Sequence, residues 1–558
     1  SHQKVAEVVC SEAGAARRQV LHRRAFEMAQ QGNAPAAELA HHALQAGLMD
    51  EAFQHSLTAG NEAMGLFAVQ VAVNHYEDAW RVGESKDWQD SISGADRQDL
   101  YVGLGRAYEL AGAWQKAEGA YRAMVAYARR SGGSSMECQA LNRLATVYSN
   151  GFKDPGQAVE FLQQARAAAQ RSGDRRGLAD TEWNLSLAAR LAQDTRLARH
   201  HGERALAMAR QLGHPQLLAR CLNSLAYVHS RLRQWETVEN YAKEARDLYA
   251  AAGNQVMEAD CQRVAGWSQI YTGRSRESLA TLQETFAFSQ RIENQWGQAE
   301  SAWRLALAML ELGRYGEALR FGEQAVRQSK AVGQPMMEVL ALSAWGTIQR
   351  TLMNLEAARD TQLDVWGQYV EKGFTGFMDW VLAELCVVHA SAGDWDRAHE
   401  YALQASGSRG EAAMLPMGTT GWYETEALLR GGDGDLARGE VARLGEILGD
   451  NRRFRLPWLR SRAVLAQWEG HEGQAIQHLR EAGNLARAME LPGEQWSILA
   501  ALAGLYERRE AEAEAQQARK EAADIILNLA GTIDERDLRT RFLAAEAVRP
   551  ILERVKAG

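Results

Sequence analysis

The chain is poor in residues that break helices and in motifs that carry chemistry. Its 558 residues include only 8 prolines and 5 cysteines. So little proline excludes collagen-like and proline-rich disordered architectures. Cys10, Cys138, Cys221, Cys261 and Cys386 form no CxxC pair, which leaves neither zinc-finger spacing nor a disulfide framework and suits reduced, mostly buried thiols. Lysine supplies 9 of the 63 cationic residues and arginine the other 54. Codon bias accounts for such a ratio, and the planar guanidinium is otherwise a tool for recognising anions. No Gly-Lys dipeptide occurs, so a phosphate-cradling loop ending in Gly-Lys-Ser/Thr is absent. HExxH and GxSxG patterns are missing as well, since His471-Glu472 lacks a second histidine four residues after the first. No run of 18 apolar residues occurs and charges are spread through the first thirty positions, so neither a membrane span nor a secretory leader is expected, and a cytoplasmic location is. A net charge of -8 and the lack of a basic recognition helix argue against direct nucleic-acid binding.

What the chain does have is alanine, 95 residues of it, with 24% charge. That describes a strongly helical protein, too long for one ordinary core: several domains, or one array that grows by stacking. It begins Ser1-His2 with no initiator methionine, which suggests a piece of a longer protein.

Periodicity chooses the array. Gly133, Gly173, Gly213, Gly253, Gly333 and Gly373 lie on a 40-residue grid whose one exception is Glu293. Ala158, Ala198, Val238, Ser278, Ala318, Ala358 and Ala398 share that spacing, as do Ala165, Ala205, Ala245, Thr285, Ala325, Val365 and Ala405. A third column, Thr146, Ser186, Ala226, Gly266, Ala306, Gly346 and Cys386, is small throughout and is expected to mark where one hairpin touches the next. Within a unit, apolar residues recur at helical spacing in two runs, around 302–310 and 318–325, with a turn at Gly313-Arg314-Tyr315 between them. The grid glycine should end the second helix in a left-handed conformation, and Pro215 and Pro335 should restart the next one. Each unit is therefore predicted to be a helical hairpin.

The order of small residue, bulky turn residue (Trp235, Tyr315, Leu355, Trp395), alanine, aromatic (Phe161, Tyr241, Phe321, Tyr401) and alanine resembles the tetratricopeptide repeat, here lengthened from its usual 34 residues to 40. The resemblance implies an all-α, right-handed superhelical solenoid of such hairpins. Looser units fall near 97–130, 420–449, 460–490 and 496–530, while 411–421, with Pro416, breaks the grid. The expected organisation is a helical arm over 1–92, regular repeats over 93–410, looser repeats over 411–530 and a capping helix over 531–558; a Ser/Asp/Gly-rich stretch at 84–96 separates arm from array. The runs 17–25 and 36–44, with His22 and His41-His42, and the tail 537–543 resemble the sensor region of bacterial STAND-class signal-transduction ATPases of the maltose-regulator type. That resemblance implies an inducer-binding region controlling ADP/ATP exchange and oligomerisation, in transcription regulation. The ATP/ADP site would lie in a nucleotide-binding domain before residue 1, so this piece would be no enzyme and hold no cofactor.

The repeat pattern, carried over unit by unit, turns a set of residues toward the concave face: Arg143, Asp180, Trp183, Arg190, Asn223, Tyr227, Arg231, Asp260, Arg263, Trp267, Tyr271 and Trp303, with Arg350 at a neighbouring position. Aromatic faces flanked by Arg, Asn and Asp can stack on a sugar- or nucleotide-like inducer and orient its hydroxyls or phosphates. The same bulky side chains also serve as fillers between long helices, so packing and binding are both open for each. A compact cluster points to a small molecule; inward polar residues spread along the array would point to a peptide or partner-protein scaffold. His41-His42 and His200-His201 are adjacent, not i, i+4, so they should project from different helix faces and no metal site is expected. Gly432–Ala437 matches a loose dinucleotide fingerprint but follows a predicted helix instead of a strand.

Overall fold

The computed structural model describes residues 14–66, 68–84, 92–152, 154–192, 194–372, 378–408, 421–449 and 451–557. Cys10, Gly373, most of the 84–96 boundary and the grid break at 411–420 lie outside them. Among the described residues there are 28 helices and no strand. The chain divides into two compact units, Ser1–His214 and Pro215–Gly558.

From Gly94–Leu110 to Leu355–Lys372 each helix has 17 or 18 residues. Two such helices and two short links make one 40-residue hairpin, as in Gln255–Tyr271 with Ser275–Arg291. The links have a common construction. Gly173, Gly213, Gly253 and Gly333 take the left-handed conformation that ends the preceding helix, and Glu293, the exception in composition, takes it too at φ 54°. At the first grid position Gly132 carries the positive φ and Gly133 follows as a cap, so the register there is one residue early. A second column halfway between the first, Arg233, Gly273, Gly313, Met353 and Gly393, adopts the same conformation. The conformational period is therefore 20, one helix and one link. Only some members are glycine, which is why the residue pattern displayed 40. The next residue often caps the new helix: Asp174, Asn254 and Asn294 accept a hydrogen bond from the backbone three residues on, at 2.8, 3.2 and 3.0 Å. Pro215 and Pro335 begin their helices as expected.

The small column packs differently from the expectation. A Cβ on Gly266 would meet Leu282 at 3.0 Å and one on Gly346 would run into Gln362, each on the second helix of the same hairpin. Ser278 Oγ likewise donates to the carbonyl of Gly266 at 2.7 Å. Close approach is thus needed inside the hairpin, where two helices run antiparallel across one short link. Contact between successive hairpins falls at the column of Thr285, whose hydroxyl lies 3.5 Å from that of Ser301. Cys138, Cys221, Cys261 and Cys386 are buried. No described helix is long and apolar enough to cross a membrane.

Candidate ligand-binding site

Arg143, Asp180, Trp183 and Arg190 belong to the first unit and are half-buried there. Asp180, Trp183 and Arg190 are each engaged in interactions. The other eight named residues belong to the second unit, where the fold brings most of them together. Asp260, on Gln255–Tyr271, is the hub. It accepts hydrogen bonds from Asn223 Nδ2 at 2.8 Å and Tyr227 Oη at 3.2 Å, both on the preceding hairpin, and pairs with Arg263 one turn ahead on its own helix. Arg263 also faces the ring of Trp296 at 4.6 Å. Burial, with the Asp260 carboxylate second, pushes the Tyr227 phenol far above its usual value, so it stays a donor. Beside this network Trp235 stacks on Tyr271 at 4.3 Å, nearly parallel, and Trp267 meets both edge-on at 5.9 Å. Arg304, held by Glu300, lies over Trp303 at 4.1 Å and Trp267 at 5.0 Å. Arg231 stands apart, half-buried near Tyr369.

The cluster is closed rather than open. Trp303, Trp267 and Tyr271 keep 2–4% of their surface exposed. One reason is that the last hairpins of this unit return onto the repeats. Phe454, from Arg452–Trp468, packs on Tyr271 at 5.9 Å and Trp235 at 6.4 Å. Next to it Arg453, 1% exposed, grips both oxygens of Glu311 at 2.8 and 2.9 Å and reaches Glu494 at 3.3 Å. Glu494 is shared with Arg460 at 2.7 Å, giving two cations and two carboxylates in one buried network. Burial opposes the charge on Arg453, but Glu311 and Glu494 more than offset it, and its pKa lies above the ordinary guanidinium value.

Beyond that network the returning hairpins leave a cavity of about 460 Å³. The repeats contribute Glu311, Tyr315, Thr347 and Arg350 to its lining, the returning hairpins Trp422, Arg460, Glu494, Trp496 and Ser497, and the C-terminal segment residues 544–547. Its volume is within the ordinary range for small-ligand sites. Arg460 lies 4.2 Å over the Trp422 ring, and Arg350 pairs with Glu384 at 2.8 Å. Trp422 Nε1 is buried and has no hydrogen-bond partner among the described residues. Of the residues that the repeat pattern turned inward, Arg350 lines this cavity, together with Thr347, which the pattern places inward on the same helix, while none of the other twelve does. Among the other lining residues Glu311, Thr351 and Ser391 keep the 40-residue spacing, as do Tyr315 and Leu355, but Trp422, Arg460, Glu494, Trp496 and residues 544–547 lie off that grid, so the spacing groups only part of the lining.

Hairpins of 17- and 18-residue helices stacked in series define a tetratricopeptide-like helical solenoid. Residues 135–211, two of the hairpins, match the family model described as tetratricopeptide repeat. No curated protein sequence matches the chain. Among solved structures it is similar to a chain of the APC/C hetero-tetramer Cut9–Hcn1, at 13% identity and a TM-score of 0.52 over 90% of this chain and 96% of that one. A Rap protein complexed with competence and sporulation factor aligns at 12% identity and a TM-score of 0.46, over 71% of this chain and 99% of that one. The apo form of RapI aligns at 11% identity and 0.40, over 50% and 98%.

Proposed function

We propose that this helical-repeat scaffold is the inducer-sensing region of a STAND-class regulatory ATPase, and that the inducer is a small polar molecule, sugar- or nucleotide-like, held in the 460 Å³ cavity. The observation that carries this reading is the convergence of Tyr315, Trp422 and Trp496 with Arg350, Arg460 and Glu494 on one cavity. Aromatic faces supply stacking area, and the charged groups, already held by Glu384 or by one another, are pre-set donors and acceptors. An acceptor on the ligand would also relieve the orphaned Trp422 Nε1, since a buried donor without a partner costs roughly 1–3 kcal/mol.

The mechanism is linkage. The cavity exists only while the last hairpins rest on the repeats, so a ligand there stabilises the docked arrangement, by about 2.7 kcal/mol at a hundred times its Kd. Switching a population from 1:99 to 99:1 takes about 5.5 kcal/mol of preference. In the parent ATPase that difference would be spent on releasing the nucleotide-binding domain for ADP/ATP exchange and assembly. The region itself recognises and does not catalyse.

Calorimetry with a panel of sugars, nucleotides and short peptides, run on the chain and on Thr351→Trp, tests the reading. Thr351 lines the cavity and is half-buried, so the indole should fill the space without unfolding the helix. A sugar or nucleotide should bind the parent chain and not the variant. Equal binding to both would remove the cavity from consideration. Binding of peptides alone would favour a second reading, a scaffold for a peptide or partner protein. That reading is supported by the fold shared with a chain that sits in the Cut9–Hcn1 hetero-tetramer.

A further inference from the structure

The first unit contains a cluster that neither the repeats nor the cavity uses. His22 lies on Ala15–Gln31, and His41 and His42 on Ala36–Ala46. Adjacent residues on a helix point about 100° apart, which was the ground for expecting no metal site. The fold adds a third ring, because His22 comes from the neighbouring helix and lies against both, with His41 and His42 themselves 5.3 Å apart between ring centroids. His22 Nδ1 is 3.0 Å from His42 Nδ1, and the ring centroids of His22 are 5.6 and 5.3 Å from those of His41 and His42. One ring nitrogen from each of the three lies within 4.8 Å of the others.

We propose that His22, His41 and His42 form a three-histidine site for a divalent transition metal, with Zn²⁺ a suitable occupant. Imidazole nitrogens bind Zn²⁺ at about 2.0–2.1 Å, which separates tetrahedral ligands by roughly 3.4 Å, so small side-chain rotations suffice. Imidazoles are available as ligands when neutral. His41 is exposed, so an ion can enter from solvent.

The helix Ala15–Gln31 explains what the metal would contribute. Phe26 is its one buried residue, so little apolar area holds it in place. A bond from His22 to a metal shared with Ala36–Ala46 would clip the two helices together and make the order of this segment depend on metal. This holds whether or not the cavity binds an inducer.

The test is titration of the chelator-treated full chain with Zn²⁺ by calorimetry, with the visible spectrum of Co²⁺ as a report on coordination. The chain should take up a single equivalent, show Co²⁺ bands of low coordination number, and gain protection from proteolysis over residues 14–46. His41→Ala, at an exposed position that does not threaten folding, and His22→Ala should each lose the equivalent and the bands, while His200→Ala should keep both. Absence of binding to the parent chain, or unchanged binding in His41→Ala and His22→Ala, would overturn the proposal.

Discussion

Single buried charges are where this alanine-rich chain concentrates electrostatic energy. Glu182, fully buried in the first unit, holds His201 at 2.7 Å, Arg166 at 3.0 Å and Arg204 at 3.3 Å. Burial raises its pKa, and the hydrogen bond from His201 with the two guanidinium charges outweighs that, so the net shift is downward from 4.5. A carboxyl with a depressed folded-state pKa stabilises the native state above its unfolded value, and that contribution is lost as pH falls through the folded one. Acid unfolding of the chain should therefore steepen below pH 4.5, and Glu182→Gln should flatten that limb while lowering stability near neutral pH by about 3–5 kcal/mol, as expected when one partner of a buried pair is removed. Circular dichroism against pH on both chains measures it. An unchanged acid limb would show that the cluster does not govern acid stability. Nothing in the sequence around Glu182 announces this role. His201 sits 19 residues on, across the hairpin, and its importance depends on that antiparallel return.

At the scale of the helix and its links, the rules are local and largely legible. A residue in the left-handed conformation costs roughly 1 kcal/mol unless it is glycine. Glu293 is exposed, sits at φ 54° and occupies a column that is otherwise glycine, so Glu293→Gly should raise stability by up to about 0.5 kcal/mol in urea unfolding, after the extra entropy of the unfolded glycine is deducted. A loss of stability would mean that Glu293 makes a compensating contact. The opposite holds where glycine provides room. A Cβ on Gly105 would run into the ring of Tyr121, which is fully buried with its hydroxyl 2.6 Å from Glu109, so Gly105→Ala should cost about 1–3 kcal/mol. The 40-residue grid made the helix stops visible in composition. The second column, with Arg233 and Met353 in place of glycine, stayed hidden because its conformation is set by helix length and not by residue type. The Asp and Asn caps were available to sequence reasoning as a third column and went unused.

For the second unit as a whole, the decisive contact is the return of the last hairpins onto the repeats. Ion pairs decorate it: Arg276 with Glu490, and Arg320 with Asp534, both well exposed. Pairs of this kind contribute about 0–1 kcal/mol. The contact is held instead by buried groups: Phe542, with no exposed surface, edge-on to Tyr315 at 6.0 Å, the Arg453 network, and Thr532, which donates to the carbonyl of Gly313 at 3.0 Å. Phe542→Ala should cost about 3–5 kcal/mol of docking and expose residues beyond 531 to protease, whereas Asp534→Ala should do neither to a measurable degree. The reverse result would place the docking energy in the charges. Because Phe542 packs on Tyr315 and adjoins Arg541, both of which line the cavity, its removal should also weaken any ligand that Thr351→Trp excludes.

The sequence by itself determined the class of element, its length, its period and its hairpin pairing, because each depends on residues within one 40-residue unit and on the 3.6-residue turn of the helix. It also selected Asp260, Arg263 and Trp267 as members of one cluster, since the same period that builds the repeats aligns neighbouring faces. Only the tertiary structure decided what covers that cluster and where open space remains. Arg453 and Glu311 are 142 residues apart and Thr532 and Gly313 are 219 apart. Helical periodicity says that a face is apolar or charged without saying which distant face will meet it, and the same gap hid the approach of His22 to His41 and His42. Partners of that kind are chosen by how the small angle between successive hairpins accumulates, a quantity carried by every interface and by no single motif.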